Sequence, residues 1–234
     1  MRGGVASLVF TTGLFMNHAD RSAVSSNRPA ALAQYRRRAA VYDVELALFE
    51  PVRRESIARL ALRPGAVVID AGCGTGLSLP LLREAVGPRG HIVGIEQCPE
   101  MLSRARAAVQ QRGWRNVTLI EAAAEEAVIE HRADAALFHF THDIVRSPAA
   151  LENVLGALRP GADVVACGLQ WSAPWAWPVN AFVWGAAMHS VSSLAGLVQP
   201  WSLLATHLLD LDADSTLAGA VYIVRGTTSE RPPP

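Results

Sequence analysis

Apolar side chains recur every three or four positions between residues 29 and 62, among them Ala33, Ala40, Val44, Leu46, Phe49, Val52, Ile57 and Leu60. That period is helical, and Pro51 within it predicts two N-terminal helices rather than one. From residue 67 onward the pattern changes to short apolar runs. They fall at residues 67–70, 91–96 ("HIVGIE"), 116–122 ("NVTLIEA"), 133–140 ("ADAALFHF") and 159–168 ("RPGADVVACG"). Helix-period stretches separate them, at residues 77–86, after Pro99, and at 149–158, where Ser147-Pro148 supplies an N-cap and an N1 proline. Strands alternating with helices through short connections predict a doubly wound α/β fold whose parallel sheet is covered on both faces. Near the end, "HLLDLDADSTLAGAVYIVRG" predicts two further strands as a hairpin-like pair.

Composition adjusts this picture in three places. Half of the residues are apolar and the formal net charge is +0, which excludes a basic field for nucleic acid or an anionic membrane. All 21 basic residues are arginine, as a GC-rich coding bias would give, and the Arg36-Arg37-Arg38 and Arg53-Arg54 runs read as solvated helix faces. The three cysteines lack Cys-x-x-Cys spacing, so disulfides and structural zinc are not expected and a reducing, cytoplasmic location is. Residues 1–28 only weakly imitate a secretory signal and read as a disordered arm or a misassigned start, with Met16 as an alternative initiator. No apolar run reaches the ~18 residues of a membrane span. Residues 29–226 then form a single domain, and residues 227–234 a disordered tail.

The chemistry-bearing stretch is "VVIDAGCGTG", in which an apolar strand ends at Asp70 and Gly72, Gly74 and Gly76 turn the chain toward a helix. Glycines there let the backbone approach a ligand at the carboxyl edge of the sheet. The spacing is Gly-x-Gly-x-Gly, with Leu77 where a dinucleotide fold would place its third glycine. The preceding aspartate would repel a pyrophosphate and suits an ammonium group. Between about residues 35 and 168 the chain resembles the class I S-adenosylmethionine (SAM)-dependent methyltransferases, whose first motif runs "hhDhGxGxG". Further likeness lies in Glu96 ending the second strand, in "EQCPEML", in Asp134 opening the fourth, and in the run "ALRPGADVVACG".

The resemblance implies a seven-stranded, mostly parallel Rossmann-like sheet with N-terminal helices, SAM as cofactor, and methyl transfer to a small molecule. It implies that Asp70, Gly72, Gly74, Gly76, Glu96 and Gln97 line the cofactor site, with Glu96 gripping the ribose hydroxyls. The aspartate that commonly holds adenine is replaced by Ala123, followed by Ala124, leaving Glu121, Glu125 or the backbone to serve. Tyr35 and Tyr42, seven apart on one helix face, are expected either to close over the cofactor or to pack that helix on the sheet. Residues 171–207 form a cap with five of the six tryptophans in or beside them, suiting an apolar or aromatic acceptor, helix packing or a homodimer contact. A binding protein of the same fold that has lost methylation is the alternative. "FHFTHD" at residues 138–143 ends the fourth strand. Alternation gives His139 one face, as a cofactor-pocket wall, and Phe138 and Phe140 the other. His142 is the candidate general base with Asp143 its orienting acid, while Asp143 equally suits a turn cap. Third and fourth metal ligands are missing, so no metal site is expected.

Overall fold

A computed structural model describes residues 49–190 and 196–229. The expected arm at residues 1–28, most of the region 29–62 with Tyr35 and Tyr42, and residues 230–234 lie outside or partly outside them. Seven strands run in chain order: β1 (Val67–Ala71), β2 (His91–Glu96), β3 (Val117–Glu121), β4 (Ala133–His139), β5 (Leu158–Leu169), β6 (Leu209–Thr216) and β7 (Val221–Thr227). They form one sheet in the order β3-β2-β1-β4-β5-β7-β6. All pairs through β5 are parallel, and β7 is antiparallel to both β5 and β6. The strand order reverses between β1 and β4, so a crevice opens beside their carboxyl ends.

The helices are α1 (Glu50–Arg59), α2 (Leu79–Val86), α3 (Pro99–Gln111), α4 (His142–Val145), α5 (Pro148–Gly156), α6 (Trp177–Ser190) and α7 (Ser202–Ala205). Pro51, Pro80, Pro99 and Pro148 all stand in first turns, where the missing N–H costs nothing. This explains why α2 begins two residues after the expected Leu77. Ser147 caps α5 as its sequence suggests, accepting from Ala150 N at 3.3 Å. One core layer joins the sheet to α1, α2 and α6 through Val52, Ile57, Leu79, Leu82, Val86, Val183 and Ala187. The other joins it to α4, α5 and α7 through Val145, Leu151, Val154 and Leu204. Each fully buried Leu or Val here contributes about 1.5–3 kcal/mol.

Two expectations are corrected. The tail does not begin at residue 227: Thr227 ends β7, and Thr228 N and Oγ1 bond Ala162 O and Ala162 N at 3.0 and 2.9 Å. Arg53 does not lie on a solvated face. It is 2% exposed, because it shares the apolar stripe of α1 with Phe49 and Ile57. Its guanidinium pairs with Glu50 one turn earlier. Asp134, at the opposite edge of the sheet from the crevice, accepts from Val67 N at 2.8 Å and pairs with Arg159, fastening β1, β4 and β5.

Candidate active site

The turn after β1 is held from below by β2, since Gly72 N and Cys73 N both donate to Ile95 O at 2.8 and 2.9 Å. Its glycines differ in purpose. A Cβ on Gly72 would stand 2.4 Å from Thr141 Cγ2, so that glycine permits close packing of the turn on the loop after β4. Gly74, at φ +55°, would meet nothing within 4 Å. Its position faces open space in the crevice, as a ligand-approaching turn requires. Gly76 packs closely on Leu79 and Ala105.

Glu96 ends β2 beneath this turn and is buried. Its Oε2 accepts from Gly74 N at 3.1 Å and its Oε1 from Cys98 N at 2.7 Å. Burial raises its pKa above the usual carboxylate value, against the lowering pull of the Cys98, Gly74 and Gln97 N–H groups. Each oxygen keeps a second lone pair for a hydroxyl donor. Gln97 follows, half-buried at the crevice rim.

Asp70, at 1% exposure, has Oδ2 without a hydrogen-bond partner. Burial pushes its pKa up to about 7, opposed by the Arg53 cation and reinforced by Glu96. Three more buried polar atoms here lack partners: Arg53 Nε, His139 Nε2 and Thr141 Oγ1. The sequence pattern assigns Arg53 to a solvated face and gives Thr141 no role, so neither is among the expected site residues. The position of Arg53 on an apolar helical stripe was the available signal. Burial, and then the Arg53 charge, lower the pKa of His139 to about 3, so its ring is neutral.

Asp70 carries a stability consequence. Its folded pKa of about 7 exceeds its ordinary 3.8, so the folded protein holds a proton that the unfolded chain has released between those values. Stability therefore falls as pH rises from 3.8 to about 7. Asp70→Asn should flatten that interval and raise the ligand-free melting temperature near neutrality. Parallel pH slopes for the two proteins in thermal unfolding would refute this.

The histidine stretch corrects another expectation. Phe140 takes φ +57°, which ends β4 at His139 and breaks the strand alternation. Its ring joins the side carrying His139, 4.9 Å from it and 4.8 Å from Phe49, whereas Phe138 is buried in the opposite layer. His142 and Asp143 fall in the first turn of α4, whose N-cap position is Thr141. His142 is buried, and its Nε2 lies 3.2 Å from Arg146 Nη1. Arginine only donates, so Nε2 accepts and the ring proton sits on Nδ1. On the β3 side, Ala123 and Ala124 are both buried, and Asn153 Nδ2 holds Ala124 O at 2.7 Å. Glu121 is engaged by Arg106 at 2.8 Å, and Glu125 is exposed. All three cysteines are free and buried. Burial raises the pKa of each, that of Cys167 to about 12.

Comparisons with known proteins bear on the family and the fold. The methyltransferase domain family matches residues 62–181. Nocamycin O-methyltransferase of Saccharothrix syringae is 29% identical over 180 residues, covering 73% of this chain and 60% of that protein. The chain spans less than two thirds of the length of the first curated relatives it matches. The fold is similar to a SAM-dependent O-methyltransferase of Thermotoga maritima, with TM-score 0.58 and 16% identity over 78% of this chain and 66% of that one. It is equally similar to the 4+2 cyclase SpnF, with TM-score 0.58 and 16% identity over 76% of this chain and 80% of that one. Matched over half its length by that family, and carrying its glycine turn and strand order, the chain belongs to the class I SAM-dependent methyltransferases.

Proposed function

We propose that this protein transfers a methyl group from SAM to a small, uncharged, apolar or aromatic acceptor in the cytoplasm. The observation that carries the reading is the cluster of unpartnered buried atoms on Asp70, Arg53, His139 and Thr141, beside the open turn at Gly74. A ligand presenting an ammonium, a carboxylate and ribose hydroxyls fits this donor set. Asp70 would face the ammonium, Arg53 the carboxylate, and the spare lone pairs of Glu96 the hydroxyls. Ala123 and Ala124 would offer adenine a small apolar wall and their backbone. Tyr35 and Tyr42, outside the described residues, would close the site.

The bound cofactor supplies an activated methyl group on a sulfonium, so the driving force of transfer lies in it. The residues of this chain align the acceptor and exclude water, which lowers such barriers by about 7–11 kcal/mol in favourable cases. Residues 171–207, the expected cap, contain no Asp, Glu, Lys or Arg, which supports an acceptor without charge. Calorimetry with SAM and methyl incorporation from labelled cofactor over a panel of phenols, alcohols and activated carbon acids test the reading. Absent binding would overturn it.

His142 is the proposed base for acceptors that must lose a proton, with Asp143 its orienting acid. To act, its Nε2 must exchange Arg146 for the acceptor. His142→Ala should lower kcat by about 10²–10⁴-fold with cofactor affinity intact. An unchanged kcat would leave it a packing residue. The fold likeness to a cyclase and the alanine at position 123 favour a second reading, a SAM-binding protein of this fold that does not methylate. Binding without turnover across the panel would select it.

A further inference from the structure

The segment leading into α6 displays aromatic rings to solvent. Trp175, Trp177, Phe182 and Trp184 are 84%, 73%, 46% and 55% exposed. Trp177 and Trp184 stand two helical turns apart on one face of α6, whose Val183 and Ala187 enter the core. The display is braced. Asn180 Oδ1 accepts from Ser172 N at 2.8 Å, and its Nδ2 donates to Ser172 O and Ala173 O at 3.3 and 3.2 Å. Ser172 Oγ donates to Ala218 O at 2.6 Å, tying the same turn to the β6–β7 hairpin. Pro174 and Pro178 stiffen the chain around the two outermost indoles.

We propose that this braced aromatic turn docks on the headgroup level of a lipid bilayer, placing the cap against the membrane surface. Indoles have an apolar body and a polar N–H tip, which suits them to that depth. The four rings together offer about 500 Å² of exposed surface. A stable dimer needs about 800 Å² from each partner, so a second copy of the chain is the poorer occupant. The charge-free segment matches a zwitterionic surface in electrostatic character, with no ionic partner to find.

The test mixes the full chain with phosphatidylcholine vesicles and follows co-sedimentation and tryptophan emission. Wild type should partition with a blue-shifted emission, and about 1 M salt should leave partitioning unchanged. Changing Trp175, Trp177 and Trp184 together to Ser should weaken partitioning by about tenfold or more. Trp177→Ser alone should weaken it measurably, and serves if the triple variant unfolds. Absent partitioning of wild type, equal partitioning of the variants, or a dimer abolished by the same substitutions would each overturn the proposal. SAM calorimetry on these proteins separates the two readings, since vesicle binding without cofactor binding would sink methyl transfer and leave the docking surface standing.

Discussion

Gly74→Val should weaken SAM binding by more than about a hundredfold, corresponding to about 2.8 kcal/mol, and leave a folded protein. The position has φ +55° and no atom within 4 Å of an added Cβ. The Cβ of a valine would therefore point into the crevice, clear of everything but its chain neighbours. The left-handed backbone costs an L residue roughly 1–2 kcal/mol, and in a chain of this size that lowers the melting temperature by only a few degrees. Gly72→Ala is the counterpart, because its Cβ would land 2.4 Å from Thr141 Cγ2. It should destabilise by about 1–3 kcal/mol through overpacking. Calorimetry and thermal unfolding on both variants read the contrast. Wild-type affinity in Gly74→Val would remove the turn from the site.

Glu96→Ala should damage binding and stability together. A hydrogen bond to a charged carboxylate is worth roughly 1.5–3 kcal/mol, so SAM affinity should fall by about ten- to a hundredfold. The same truncation strips the Gly74 and Cys98 N–H groups of their acceptor. An orphaned buried donor costs about 1–3 kcal/mol unless water enters. Glu96→Gln keeps one acceptor oxygen and should fall between. A wild-type dissociation constant in Glu96→Ala would show that the ribose is held elsewhere.

The glycine turn was legible in the sequence because its demands are local. A strand must end, the chain must turn tightly, and a carboxylate must stand at each of two strand ends. Asp70, Gly72, Gly74 and Glu96 satisfy those demands within contiguous stretches, and the sheet follows from alternation of apolar runs with helical periods. Phe140 was not legible. Its side is decided by one positive φ, and the ring gains Phe49 as a neighbour from 91 positions away in sequence. Arg53 was misread because arginine on a helix is ordinarily solvated. Its place on the stripe with Phe49 and Ile57 is the local sign of burial, whereas the charge interaction with Asp70, 17 positions on, belongs to the fold and no local pattern encodes it. The partner of His142 was hidden for a similar reason, since Arg146 lies one turn away on a helix too short to announce itself.

The three cysteines give the chain an internal clock. Each thiol is buried and held protonated by its surroundings, so alkylating reagents find no thiolate while the sheet is closed. Cys73 lies in the glycine turn, Cys98 at the entry to α3, and Cys167 in the middle of the sheet beneath α1. Their labelling rates therefore time the opening of three separate regions in the unmodified protein, with the turn that would hold the cofactor reported on its own.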